Sequence, residues 1–285
     1  MVHGCGDRGL AGGTAHHARR AAARLGAGDQ YGADVASRVP PGAALRQTEG
    51  LIGSILHLLG LDLAVPDHST LSRRAETLEM PPRQVGSEPV HLLVDSTGLK
   101  LCGAGEWLIE KHGAKTRRSW RKLHIGVDAG TGQIVASTLT TNNVDDGSQV
   151  GPLLDQITSP LISFTGDGAY HRADVYGAVA ERHPHAAVIV PPRCNAVPSE
   201  IAATAPTPRD RHLQLIAERG RRDWQKTSGY TRRALAESAI SRFKRVIGGA
   251  LRSRTPQRQA TDVATAVAAL NRMLELGRPE SVRIA

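Results

Sequence analysis

The stretch VHLLVDST, residues 90–97, opens the part of the chain that decides the fold. Its mostly apolar run ends at Asp95, which predicts a short buried strand with a carboxylate at its end. The stretch KLHIGVDAGTGQIVASTLT, residues 122–140, has two apolar segments around D-A-G-T-G, the pattern of two strands joined by a turn. A β-sheet is therefore expected to begin after Pro89.

The residues after this hairpin alternate between helical and strand-like patterns. Two more apolar runs predict strands: LISFTGDGAY (161–170), ending at Asp167, and AAVIVPP (186–192). Four patterns predict helices: DGSQVGPLLDQI (146–157, with Asp146 as N-cap), ADVYGAVAERH (173–183), YTRRALAESAISRFKRVIG (230–248) and TDVATAVAALNRMLELG (261–277). The stretch before residue 230 is basic and irregular. This order predicts an α/β fold, a mixed β-sheet flanked by helices.

The N-terminal part has a different character. Residues 1–44 alternate Gly-rich and Ala/Arg-rich pieces without periodicity, which predicts a poorly ordered segment. Residues 45–88 hold two helical patterns. The second has Pro66 and either Asp67 or Ser69 as its start signal and exposes Arg73 and Arg74. Joined by a short turn, the two helices fit a DNA-binding helix-turn-helix or an ordinary helical hairpin equally well. Residues 89–285 are predicted to form the remaining domain.

Composition and charge narrow the class of protein. The 285 residues are 40% hydrophobic and 22% charged, as in ordinary globular proteins, and carry a formal net charge of +9. Between residues 205 and 258, basic residues far outnumber the four acids Asp210, Glu218, Asp223 and Glu237. Such a basic block favours a polyanionic partner, although a solvated charged face would have the same composition.

Cysteines and hydropathy exclude other classes. Cys5, Cys102 and Cys194 have no C-x-x-C spacing, which excludes a disulfide framework and a thiolate zinc site. No apolar run approaches the roughly 18 to 20 residues of a membrane helix, and no secretory signal is recognisable. A soluble, cytoplasmic protein is therefore expected.

Three acids and their neighbours point to chemistry. Asp95 and Asp167 each end an apolar run, where an aspartate most often caps the next turn. Glu237 shares a helical pattern with Tyr230, Arg233 and Lys244, at spacings that place the four side chains within roughly 60° on one helix face. Surface ion pairing between Arg233 and Glu237 explains part of this pattern, but not the tyrosine and the lysine.

These motifs resemble those of the DDE transposases of bacterial insertion sequences. Their Y-x2-R-x3-E-x6-K signature matches Tyr230, Arg233, Glu237 and Lys244, and their D-S-T and D-x-G/A-Y blocks match the runs that begin at Asp95 and Asp167. The resemblance extends from about Ala44 to the C-terminus. It includes LRQTEG (45–50), PDHSTLSRR (66–74) and WRKLHIGVD (120–128).

The resemblance implies an RNase H-like fold in which Asp95, Asp167 and Glu237 are the catalytic residues and bind two Mg²⁺ or Mn²⁺ ions. Such a site cleaves DNA and transfers strands by in-line displacement at phosphorus, and carboxylates supply the oxygen ligands that these ions prefer. DNA contacts are expected from Tyr230, Arg233 and Lys244, from Arg73 and Arg74, and from Arg117, Arg118, Arg121 and Lys122 of the basic loop KHGAKTRRSWRK (111–122). Trp120 in that loop would stack an unpaired base or, more commonly, pack against the protein.

The implied partners are double-stranded DNA, both terminal inverted repeats of an element and target DNA, and further copies of the chain. The implied location is the bacterial cytoplasm, at the nucleoid. Alternatives are a catalytically silent DNA-binding protein and a structure-specific nuclease. A weaker alternative is an actin-like ATPase, because IGVDAGTG (125–132), around Asp128, is similar to a phosphate-binding loop.

Overall fold

The computed structural model describes residues 45–78, 88–101 and 120–277. The chain divides into two compact units, Met1–Met80 and Pro81–Ala285. The predictions for residues 1–44 and for Arg117 and Arg118 lie outside the described residues, and the predicted domain bounds stay predictions. None of the helices in the described ranges has the length and apolar character needed to cross a bilayer.

Two helices form the described part of the first unit, α1 (Leu45–Leu58) and α2 (His68–Thr77). The prediction that α2 begins near Asp67 is confirmed, because the Asp67 carboxylate accepts a hydrogen bond from the Thr70 N–H at 2.8 Å. The prediction of a short turn is wrong, since residues 59–67 separate the helices and a helix-turn-helix has only three or four.

The described residues of the second unit form a six-stranded sheet. Its strands are β1 (Val90–Leu101), β2 (Trp120–Asp128), β3 (Ile134–Thr141), β4 (Leu161–Thr165), β5 (Ala187–Ile189) and β6 (Ala250–Leu251). The order is β3-β2-β1-β4-β5, and β6 pairs with the end of β1. β2 runs antiparallel to both β1 and β3, while β4, β5 and β6 each pair in parallel.

Helices cover this sheet. They are α3 (Val150–Leu154), α4 (Ala173–Arg182), α5 (Pro208–Arg219), α6 (Arg221–Thr227), α7 (Ala234–Val246) and α8 (Pro256–Glu275). Short 3₁₀ turns occupy Gly147–Gln149, Gly168–Tyr170 and Tyr230–Arg233. The predicted fold class, a mixed β-sheet flanked by helices, is confirmed.

Alternation along β1 separates two hydrophobic cores. Leu92 and Val94 belong to the core that contains buried residues of α3 and α4, whereas Leu93 and Leu99 belong to the core that contains those of α7 and α8. Successive side chains of a strand point to opposite faces of the sheet. Asp95 therefore lies on the face covered by α7 and α8.

Two strand predictions were wrong at their ends. β1 does not end at Asp95, because pairing with β2 continues from Asp95 opposite Ile125 to Lys100 opposite Trp120. β2 in turn begins at Trp120, so Trp120, Arg121 and Lys122 belong to a strand rather than to a basic loop. Both strands extend over residues without apolar side chains because backbone hydrogen bonds between β1 and β2 continue there.

The helical predictions need three corrections. The pattern from residue 230 is not one helix, because a 3₁₀ turn ending at Arg233 precedes α7. The stretch predicted to be irregular contains α5 and α6. Asp146 makes no side-chain capping bond, because its carboxylate lies instead against Lys122 and His124, at 3.4 and 3.2 Å.

We expect Gly166→Ala to lower the free energy of unfolding by about 1–3 kcal/mol, because the new methyl group would lie 2.7 Å from Cδ2 of the buried Tyr170 ring. Gly168→Ala is the matched control on the other side of Asp167, since no atom lies within 4 Å of its added Cβ. Urea unfolding measures both. Equal stability of the two variants would contradict the proposed packing.

Candidate active site

The register of two parallel strands places the first two acids together. Leu93 of β1 pairs with Thr165 of β4, and Asp95 and Asp167 each follow two residues later. Since parallel neighbours run in the same direction, both carboxylates lie at one end of this strand pair.

The third acid comes from a helix packed on the same sheet. Glu237 is in the first turn of α7, which contacts β1 and β2. The buried face of α7 consists of Ala236, Ala239 and Phe243. Glu237 itself remains exposed, with 58% of its side chain accessible.

The three carboxylates converge on the guanidinium group of Arg233. Arg233 Nη1 lies 2.5 Å from Glu237 Oε1. Its Nη2 lies 3.5 Å from Asp95 Oδ2 and 3.8 Å from Asp167 Oδ2. Acids separated by more than 130 residues in sequence thus share one cation, with 20% of the Arg233 side chain accessible.

Asp167 serves two purposes at once. Its Oδ1 accepts a hydrogen bond from the Ala169 N–H at 2.9 Å and caps the 3₁₀ turn that follows, while Oδ2 faces Arg233. The capping interpretation of this aspartate is therefore correct for one oxygen and leaves the other available. Arg172 pairs with Asp145 and Asp174 and connects the loop after β3 with this segment.

The Tyr230 ring packs against the ring of Trp224. The Trp224 side chain of α6 is fully buried, and its ring centroid lies 5.3 Å from that of Tyr230. Sequence analysis missed Trp224, although an aromatic residue six positions before the tyrosine was a visible signal. Burial raises the pKa of Tyr230, so its phenol keeps its proton at neutral pH and can donate a hydrogen bond.

Two family models match the chain. Both are described as "Transposase DDE domain", and they match residues 86–272 and 39–104. The chain belongs to the DDE transposase family. Its sheet order and flanking helices are those of the RNase H-like transposase fold, as predicted. Membership implies an enzyme of the nuclease and transposase type that binds DNA and, as the family generally does, uses divalent metal ions.

The charged groups around Arg233 change the pKa of Asp95. Burial raises the pKa of the Asp95 carboxyl, and the carboxylates of Asp167 and Glu237 raise it further, against the Ser96 N–H bond and Arg233. Two carboxylates close together favour a cation between them. The cluster therefore has the electrostatics of a cation site.

The donor set fits a hard divalent ion. Asp95, Asp167 and Glu237 offer only oxygen ligands, and half-exposed Asp167 and exposed Glu237 leave room for water and phosphate. As the side chains stand, no three acidic, histidine or cysteine residues among those described are close enough together to hold an ion. Their oxygens face Arg233 instead.

The other predicted DNA contacts fall in different places. Lys244 is exposed in the last turn of α7, and Arg73 and Arg74 are exposed on α2. Arg121 Nε donates to Gln259 Oε1 at 2.9 Å, and Lys122 Nζ donates to the Val144 carbonyl at 2.8 Å. Those two donors are thus used within the protein.

The phosphate-binding interpretation of the D-A-G-T-G loop has no support in the structure. The Asp128 carboxylate accepts hydrogen bonds from the N–H groups of Gly130 and Thr131, at 3.2 and 2.9 Å, and from the Thr131 hydroxyl. The protein's own anion therefore occupies the donors that a nucleotide phosphate would need.

We expect Asp95→Asn to stabilise the folded protein at pH 7. Because the pKa of Asp95 is raised above its unfolded value of 3.8, ionisation costs folding stability above the folded-state pKa, and this cost disappears as pH falls below 3.8. Asp128→Asn is the control of opposite sign, since burial is outweighed by the hydrogen bonds that lower its pKa. Thermal unfolding between pH 3 and 8 compares them, and a less stable Asp95→Asn at pH 7 would contradict this electrostatic description.

Proposed function

We propose that this chain is an insertion-sequence transposase with the Y-R-E-K signature, which cleaves DNA at the ends of its element and joins the freed 3′ ends to target DNA. The observation that supports this proposal best is the convergence of Asp95, Asp167 and Glu237 on Arg233. Two of the signature residues, Arg233 and Glu237, are in direct contact, and the two aspartates of the other motifs lie against the same guanidinium group.

In this proposal the three carboxylates are the catalytic residues and hold two Mg²⁺ or Mn²⁺ ions. Ions held there would supply activation of the attacking oxygen and stabilisation of the leaving oxygen in each displacement at phosphorus. The chain contributes rigid placement: Asp95 is fixed by the centre of the sheet, Asp167 by its capping bond, and Glu237 by the packed α7 helix.

The remaining signature residues would hold the DNA backbone. Lys244 follows Glu237 by seven residues, which places it about 10 Å further along the same face of α7. Its exposed ammonium group can contact a phosphate there. Tyr230, kept protonated and backed by Trp224, can donate a hydrogen bond to a phosphate oxygen or to water.

The proposed partners are double-stranded DNA, at the terminal inverted repeats of the element and in the target, and other copies of the chain. Arg73 and Arg74 of α2, and Arg117 and Arg118, are proposed as further contacts to the DNA backbone. Pairing two element ends usually needs more than one subunit. We propose that the protein acts as a homo-oligomer at the nucleoid of a bacterial cytoplasm.

Loss of cleavage on conservative substitution tests the proposed triad. Asp95→Asn, Asp167→Asn and Glu237→Gln should each reduce Mg²⁺-dependent cleavage and strand transfer roughly a thousandfold, because each removes a charged ligand while keeping the shape of the side chain. DNA affinity should remain close to that of the wild type. Oligonucleotides carrying candidate element ends provide the substrate.

Glu181→Gln, at an exposed position of α4, is the matched control for loss of one carboxylate and should be fully active. Full activity of any triad variant would remove that residue from the triad. Wild-type binding without cleavage would favour the catalytically silent DNA-binding protein, and cleavage of branched DNA without strand transfer would favour the structure-specific nuclease.

A further inference from the structure

Arg233 lies among the three carboxylates of the proposed metal site. Its two terminal nitrogens face all three carboxylates, at 2.5, 3.5 and 3.8 Å. Among the described residues, no carboxylate cluster is arranged to hold an ion while this side chain is in place. The guanidinium group thus takes the place of a cation among the acids.

The contacts of Arg233 differ from those of a simple surface ion pair. A surface pair joins one acid to one base, and its members are well solvated. Here three acids from three elements share one cation, and the Arg233 Nε is buried with no hydrogen-bond partner among the described residues. The hydrogen bonds of this guanidinium group therefore run from its terminal nitrogens to the carboxylates of Glu237 and Asp95.

We propose that Arg233 is the resident cation of the acidic cluster and competes with divalent metal ions for it, so that metal loading requires the guanidinium group to withdraw from the carboxylates. This inference rests on the proposed function. It assigns Arg233 a task in the metal-free protein, before any phosphate contact. Once displaced, its planar fork is free to bind a DNA phosphate in the same site.

The inference predicts the sign of a substitution effect. If Arg233 only oriented the carboxylates for metal, its removal would weaken metal binding. If it competes with metal, removal must strengthen metal binding, because the three acids lose their internal counter-ion. Arg233→Met removes the charge and adds no oxygen ligand.

The experiment is a titration of DNA-free protein with Mn²⁺, followed by the electron paramagnetic resonance signal of free Mn²⁺. We expect Arg233→Met to bind Mn²⁺ about tenfold more tightly than wild type, a gain within the usual range of coupling between two ligands. Arg232→Met is the matched control, because Arg232 is the exposed neighbour in the same 3₁₀ turn. It should bind as wild type does.

Adding Glu237→Gln to Arg233→Met should abolish the gain. Suppose that wild type binds Mn²⁺ and that Glu237→Gln weakens this binding. If Arg233→Met then binds Mn²⁺ no more tightly than wild type, the inference is overturned and the proposed function is left intact. If neither wild type nor Arg233→Met binds Mn²⁺, the inference and the proposed function are both overturned. The same holds if Glu237→Gln leaves Mn²⁺ binding unchanged in wild type or in Arg233→Met.

A measurement on the wild-type side chain covers the case in which Arg233→Met folds poorly. In protein labelled with ¹⁵N-arginine, the Arg233 Nε–Hε resonance is identified by its loss in Arg233→Lys. Saturating Mg²⁺ should shift this resonance, while that of Arg232 stays in place. An unmoved Arg233 resonance at saturating Mg²⁺ would overturn the inference.

Discussion

The parallel pairing of β1 with β4 is the constraint on which the rest of the site depends. It fixes Leu93 opposite Thr165 and so brings Asp95 and Asp167 together just beyond the last paired residues of the two strands. β1 is paired on both sides and contributes buried residues to both cores, which makes it a firm support for Asp95. A one-residue shift in β1 would turn Asp95 to the opposite face, away from α7.

Bringing three acids together carries an electrostatic cost that the fold offsets in part with Arg233. Burial and the carboxylates of Asp167 and Glu237 raise the pKa of Asp95 while Arg233 lowers it, and the net shift is upward, so ionised Asp95 is less favourable in the folded protein than in water. Such a cost is typical of sites organised for function rather than for stability. The same repulsion would strengthen the attraction of any cation that reaches the carboxylates.

The sequence predicted the mixed sheet, the hairpin and the order of strands and helices well, because apolar periodicity determines those features. It did not predict that β1 continues past Asp95, because Ser96, Thr97 and Gly98 lack apolar character and are kept in the strand by backbone pairing with β2. Strand β6 was also missed, since two residues give no periodic signal.

The helices α5 and α6 were missed for another reason. The segment from 205 to 229 is rich in charge, and its apolar face is weak, so periodicity alone gave no helix there. A capping signal was nevertheless present: Thr207 and Asp210 form a reciprocal capping box around Pro208 at the start of α5.

The spacing rule behind the predicted contact between Arg233 and Glu237 was wrong about the helix, although the contact itself is present. It assumed one continuous helix, whereas Arg233 ends a 3₁₀ turn and reaches Glu237 across the start of α7. Nothing in the spacing could reveal that Arg233 also contacts Asp95 and Asp167, because those contacts depend on the tertiary fold. The sequence also could not show that Arg121 Nε donates to Gln259 and Lys122 Nζ to the Val144 carbonyl, because those contacts depend on the tertiary fold as well.

Anomalous diffraction from crystals soaked in Mn²⁺ tests the central claim most directly, because it locates the ions without reference to activity. We expect anomalous peaks among Asp95, Asp167 and Glu237, with the Arg233 guanidinium group moved away from them. Mn²⁺ bound at other acids, with the three carboxylates still closed around Arg233 at saturating metal, would contradict it.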